Sequence, residues 1–336
     1  MRLGVDAMGG DFAPAQPVLG ALGARDLLDK DDEIVLIGDE SAIREHLNGQ
    51  RGWDRFISIE HAPDVIGMSE VPVESLRTKP DSSIARMTEM ARAGSLDAII
   101  SAGNTGACVA ASQMRLRRLR GVVRPGIAIV IPSSYGPVTM CDVGANVNCR
   151  PRHLYQYAIM ASEYARGICG VKDARVGLLS IGEEDEKGNA LVKETRALLR
   201  SDPTIRFVGN VEGQDLFRGA CDVVVTEGFV GNVALKLMEG LAEGLVKSLL
   251  TDLSASSLAE RPQVRDALAN IKEKYDFNEY GGAPLLGVNG ISIICHGASH
   301  ARAITNAVRV AREFATLKIN DRITARIAIC QGPADE

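Results

Sequence analysis

"IAIVIPSSYGPVTMCDV", residues Ile127–Val143, decides how the sheet must be built. Its apolar runs, IAIVIP (Ile127–Pro132) and VTMCDV (Val138–Val143), are separated only by SSYGP. A crossover between parallel strands takes a dozen or more residues, so these two must pair as an antiparallel hairpin. Elsewhere the spacing is longer. Short β-branched runs at Leu3–Asp6, Glu33–Gly38, Asp97–Ala102, Ala174–Gly182, Ile205–Asn210, Asp222–Gly228 and Ile291–Gly297 mostly alternate with helical stretches. Most are continuously apolar, as strands covered on both faces are. The expected fold is α/β: a doubly wound, mixed but mostly parallel sheet in a three-layer αβα arrangement.

One region breaks the alternation. Asn232–Leu250 is apolar on a broad helical face, and after TDLSASSLAERP a second helix carries Val264, Leu268, Ile271 and Tyr275 on a narrow stripe. Two helices with no strand between them, over 232–275, suggest a projecting αα-hairpin; ordinary core packing is the other reading. The link would expose Leu250, Leu253 and Leu258. At ~0.8 kcal/mol per buried methylene, three leucines give only marginal, reversible attachment to a bilayer.

A chain of 336 residues fits one large α/β unit or two lobes. A net charge of -5 and an aromatic content of 4% argue against nucleic acid as a partner. Seven cysteines without a CxxC pair read as buried thiols in a reducing compartment. Neither a signal peptide nor an apolar run of about 18 residues is present, which makes the cytoplasm the default location.

In open α/β sheets, ligands sit beyond the carboxyl ends of the strands. Here those ends read SAGNTGACVAA, DVGANVNC, EEDEKGNALVKE, FVGNVALK and ASHARAITNAV. Each joins small residues to a helix start, where backbone N–H groups and the helix dipole favour an anion. The nucleotide signatures GxGxxG and GxxxxGK[ST] are missing, and so are HExxH, paired Cys/His ligands and GxSxG. VDAMGGDFAP, after the first strand, has glycines that let backbone approach a ligand. Asp6 and Asp11 would repel phosphate, so they should orient Lys or Arg groups or neighbouring loop amides.

VDAMGGD, SAGNTGA, DVGANVNC, IGEEDEKGN, FVGNVEG, TEGFVGNVALK, YGGAPLLGVNG and HGASHARAITNA, in that order and over nearly the whole chain, resemble the bacterial phosphate acyltransferase family, PlsX. The resemblance implies transfer of a fatty acyl group from acyl carrier protein to inorganic phosphate, giving an acyl phosphate for phospholipid synthesis. It also implies an isocitrate dehydrogenase/phosphotransacetylase-like fold and a homodimer. Peripheral membrane contact through the helical arm follows, with a membrane glycerol-3-phosphate acyltransferase as a further partner. On that pattern 1–134 plus 290–336 form one lobe and 135–289 the other, with the active-site cleft between them. An acyl-CoA phosphotransacetylase and a non-catalytic carrier-binding scaffold are the alternatives.

Phosphate is already a nucleophile, so the reaction needs positioning and oxyanion donors rather than a triad; no cofactor or metal is expected. His296 is the candidate anion binder or proton donor to the leaving thiol, Lys187 the cation that approaches phosphate, and Asn232 an oxyanion donor. A magnesium site within Glu183–Glu186 stays open. Substrate-binding candidates are Gly9, Gly10 and Asp11 in the first turn; Ser101, Gly103, Asn104, Thr105 and Gly106 in the second; and Asp142 and Asn146, which could equally brace their loop. Gly182, Glu184, Gly188 and Asn189 follow, then Glu227, Gly228 and Gly231, and finally Gly297 and Ser299. Glu227 stands where the family usually has aspartate. Lys79, beside Arg77 and before Ser82 and Ser83, marks a second anion pocket.

MRLRRLRGVVR clusters Arg115, Arg117, Arg118, Arg120 and Arg124 in an acidic chain. A solvated helical face and a docking surface for the acidic acyl carrier protein are both open readings.

Overall fold

Ile131 pairs with Val138 and Ala128 with Cys141, so the short SSYGP connection closes an antiparallel hairpin. The computed structural model describes residues 1–254, 264–266 and 280–330. Its strands are β1 (Arg2–Asp6), β2 (Glu33–Gly38), β3 (Ile57–His61), β4 (Ala98–Ser101), β5 (Gly126–Ile131) and β6 (Val138–Cys141). They continue with β7 (Arg175–Leu179), β8 (Arg206–Val211), β9 (Val223–Val225), β10 (Ala283–Leu286) and β11 (Ile291–Ile294). All lie in one 11-stranded sheet, ordered β3-β2-β1-β4-β11-β10-β5-β6-β9-β7-β8.

Two parallel sets make up this sheet. β3, β2, β1, β4 and β11 run one way. β6, β9, β7 and β8 are likewise mutually parallel. Between the sets, β10 is antiparallel to both β11 and β5, and β5 is antiparallel to β6. Hence the second set runs opposite to the first.

The sequence patterns did not signal β3 or β10. β3 reads ISIEH and is only partly buried at the sheet edge, so it lacks the apolar run that marks the central strands. β10, APLL, carries Pro284, which gives no ladder N–H and argues against a strand from local sequence. Its place is fixed by β11 and β5 on either side.

Helices cover both faces. On one side of the first set lie α1 (Ala15–Gly23) and α2 (Glu40–Leu47). α9 (Ala301–Thr316) joins them, its Ala303, Ile304, Ala307, Ala311 and Phe314 on one buried face. On the other side are α3 (Pro72–Thr78), α4 (Ser83–Arg92) and α5 (Thr105–Arg115). The second set is covered by α6 (Pro151–Ile168), α7 (Ala190–Ser201) and α10 (Ile319–Cys330) on one face. On its other face packs α8 (Gly228–Ser254), through Ala234, Leu235 and Met238. This is the expected three-layer, mostly parallel architecture.

The helix expected from Asn232 starts earlier, at Gly228, and continues to Ser254. Leu258 of the link, and Leu268, Ile271 and Tyr275 of the expected partner helix, lie outside the described residues. None of the seven cysteines forms a disulfide. No helix among the described residues is long and apolar enough to cross a membrane.

Candidate functional site

Most candidate residues sort into two groups, one on the carboxyl ends of each parallel strand set. The first is built on β1, β4 and β11. Asp6, at the end of β1, is fully buried and accepts from Ser101 Oγ at 2.6 Å and from the Met8 amide at 3.1 Å. Burial pushes its pKa up, against the pull of hydrogen bonds from Ser101, Ser83 and the amides of Met8 and Gly9. Ser101 Oγ in turn accepts from the Gly103 amide at 3.0 Å. Gly9 fills the space between the turns: a Cβ there would sit 2.6 Å from both Asp6 Oδ2 and the Gly103 nitrogen. Gly10 lies against the third turn, with a φ of 99° that suits glycine, and the neighbouring Asp11 amide donates to Gly297 O at 2.8 Å.

His296 follows β11 and is exposed, while Gly297 and Ser299 are buried. The Ala298 amide donates to His296 Nδ1 at 3.2 Å, so a neutral ring carries its proton on Nε2. Close by, Phe12 stacks on His300 with ring centroids 4.7 Å apart.

The second group is built on β6, β9 and β7. Asp142 is fully buried and accepts from the amides of Ile127, Gly144, Ala145 and Asn146. Its pKa is raised by burial. Asn146 donates its side-chain amide to Pro125 O, Asp142 and Tyr157 Oη, and its carbonyl accepts from the Gly228 amide. The turns after β6 and β9 are thereby stitched together. Gly231 is pressed against Asp142, where a Cβ would lie 1.9 Å from the carbonyl oxygen. Asn232 is exposed and its side chain lies over Gly144. Lys187 and Glu184 are exposed on the turn after β7, with Gly182 buried beneath.

Residues 1–322 match a protein family described as fatty acid synthesis protein. The chain belongs to this family. A phosphate acyltransferase of Geobacter sulfurreducens is 46% identical over 330 residues, 97% of this chain and 94% of the relative. One of Pelotomaculum thermopropionicum is 47% identical over 329 residues, covering 97% and 95%. Membership makes the chain an acyltransferase, as the eight quoted motifs implied. A phosphotransacetylase structure from Streptococcus pyogenes superposes with a TM-score of 0.62 at 14% identity, covering 94% of each chain, and shares the fold.

For a member of this family, several candidate side chains have local duties. Asn104 caps α5 through Ala107 N, and its Nδ2 donates to the carbonyls of Gly67, Met68 and Glu70. Its amide is thus committed, and the Gly103 N–H is taken by Ser101. The amides of Thr105 and Gly106 remain at the mouth of the helix. Asn189 caps α7 through Val192 N. Glu227 accepts from the amides of Phe229 and Val230, capping α8, which accounts for a carboxylate at this position. Gly188 lies between Glu184 and that Asn189 cap.

Lys79 donates to Glu70 and to Val65 O, and the pair brings the Glu70 pKa down to about 2. Ser82 and Ser83 are buried, and Ser83 faces Asp6. Among the described residues no group of His, Cys, Asp and Glu is arranged to hold a metal ion. Cys108, buried beside Ser101, has its thiol pushed up to about 12 by burial and is no nucleophile. Sequence reading missed the Asp6–Ser101 pairing. Only pairing β1 with β4 sets those two strand ends side by side.

The basic run divides. Arg115 turns inward and donates to Ala85 O and Thr88 Oγ1 on α4. Arg117, Arg118, Arg120 and Arg124 are exposed.

Proposed function

We propose that the chain moves a fatty acyl group from an acyl carrier protein thioester to inorganic phosphate, releasing an acyl phosphate and the carrier thiol. The likeness to proteins named phosphate acyltransferase, 46% over 97% of the chain, carries this reading. The site chemistry agrees with it. Phosphate attacks the thioester carbonyl, the carbon–sulfur bond breaks, and the thiolate takes a proton. The His296 tautomer presents an Nε2 proton suited to that last step. The Thr105 and Gly106 amides at the start of α5 supply donors for an anion without added charge. Positioned donors of this kind are worth about 3 kcal/mol each at a developing oxyanion.

Both loop groups serve one cleft in this reading. In a flat sheet the ends of β4 and β9 would point opposite ways. Strands twist by roughly 20–25° per step, so the five steps from β4 to β9 turn the strand direction by roughly 100–125°. A twist of that size would bring the two sets of carboxyl ends toward one side, and the reading then has Asn232 and Lys187 facing His296 across the cleft.

The assay is direct. Purified protein with acyl carrier protein thioester should release carrier thiol only when orthophosphate is present, and hydroxylamine should trap the acyl phosphate. Thiol release that ignores phosphate would end this reading. Equal or better use of acyl-CoA would favour the phosphotransacetylase alternative.

A second copy of the chain is the proposed partner of α8. Phe229, Val233, Leu237, Leu241, Leu245 and Leu249 recur every fourth residue and are all exposed. At 3.6 residues per turn these positions wind through about 200° of the helix surface, and so broad an exposed apolar band fits burial against its own copy. Sedimentation showing a monomer at micromolar concentration would remove the proposal.

A further inference from the structure

From Gln113 to Ser162 the chain carries seven arginines and a single acid, Asp142, which is buried. One of the seven, Arg115, is used internally. The other six, Arg117, Arg118, Arg120, Arg124, Arg150 and Arg152, are all exposed, and none forms an ion pair within the described residues.

Two separate stretches supply them, and the fold fuses these. Gln156, on α6, accepts from the Val123 amide and donates to Gly121 O at 2.8 Å each. Asn146 holds Pro125 O at 2.7 Å. The 121–125 stretch is therefore strapped along the start of α6, where Arg150 and Arg152 stand. His153, whose Nδ1 accepts from the Arg150 amide at 3.1 Å, sits at this junction, and its pKa is lowered by burial, then by the charges of Arg124 and Arg150. Arg118 Nη1 donates to Val123 O at 2.5 Å, which brings that arginine onto the same stretch, with Arg117 and Arg120 on either side of it in sequence.

We infer that these six arginines form one docking surface for an acidic protein, and that Arg150 and Arg152 belong to it as much as the 117–124 run does. The inference rests on the carrier-protein reading above, in which that acidic protein delivers the acyl thioester. Charge argues for it twice. The chain as a whole carries -5, so an acidic partner is repelled by most of the surface and drawn to this part. Every cation here is arginine, whose planar fork suits bidentate contact with carboxylates. Location adds a third reason. The Asn146 contacts join this surface to the second loop group, and exposed Met114 and Val147 place apolar area beside the arginines, as protein interfaces do.

The test measures binding of acyl carrier protein to the full chain by surface plasmon resonance over a range of salt. The double variant Arg124→Glu/Arg152→Glu should lower the association rate at least tenfold at low salt, with the difference shrinking as salt rises. The control Arg44→Glu, on exposed α2, should stay within twofold of the parent. An association rate that the double variant leaves unchanged, with the parent binding and turning over the carrier thioester, overturns the surface and leaves the proposed reaction standing. A parent that neither binds the carrier nor uses its thioester overturns both. If the double variant instead loses only flotation with vesicles containing anionic lipid, the surface is a membrane contact and the inference fails.

Discussion

Ser101 Oγ donates to Asp6 Oδ2 at 2.6 Å, joining the ends of β4 and β1 across 95 residues of chain. The same hydroxyl accepts from the Gly103 amide, so one short relay fixes two candidate turns relative to each other. The carboxyl group is engaged with an amide and a hydroxyl, which accommodates an acid beside the proposed anion site.

Asp6→Ala should leave the buried Ser101 hydroxyl without its acceptor and the part-buried Met8 amide without its partner. At about 1–3 kcal/mol for each buried unsatisfied group, urea unfolding should show a loss of about 2–5 kcal/mol. The pH dependence has a definite sign. Burial raises the folded-state pKa above the ordinary 3.8, so the folded chain holds this proton more tightly than the unfolded one. That contribution is complete below 3.8 and is lost as pH rises through the raised value. Relative to Asp6→Asn, which cannot titrate, the parent should therefore lose stability as pH climbs from acid toward neutral. A constant difference between the two would refute the buried assignment.

Gly231→Ala would drive a Cβ to 1.9 Å from Asp142 O, a backbone atom that cannot step aside. Thermal unfolding should report a loss of about 3 kcal/mol or more, at the top of the overpacking range. Wild-type stability in this variant would show that the turns after β6 and β9 do not meet as described.

Glu227→Ala removes the acceptor for two amides at the start of α8, and chemical denaturation should register about 1 kcal/mol. Glu227→Asp should recover most of it, because a shorter carboxylate can still cap. If Ala and Asp behave alike, the cap contributes nothing.

His296→Asn separates stability from chemistry. The side chain is exposed, so the melting point should barely move, within the ±0.5 kcal/mol typical of surface changes. A proton donor lost from the reaction should lower kcat by 10²–10⁴-fold. Near-normal turnover would reassign proton delivery to another group or to water.

The sequence alone determined the class of fold and the identity of the turns. Short, β-branched apolar runs such as EIVLIG and IAIVIP read as strands covered on both faces, and the brevity of SSYGP forces one antiparallel pair. Eight glycine- and asparagine-rich motifs were enough to mark the family. Tertiary structure decided the rest, because a hydrogen bond belongs to whichever partner lies nearest in space. Asn104, Lys79 and Arg115 look identical in sequence to ligand-binding residues, yet loop carbonyls, Glu70 and the α4 backbone claim them. Conversely, the start of α6 meets the Gly121–Val123 stretch only because Gln156 binds Val123 and Gly121, 33 and 35 residues earlier in the chain. Periodicity records which face of an element is buried; it holds no record of which distant element will bury it.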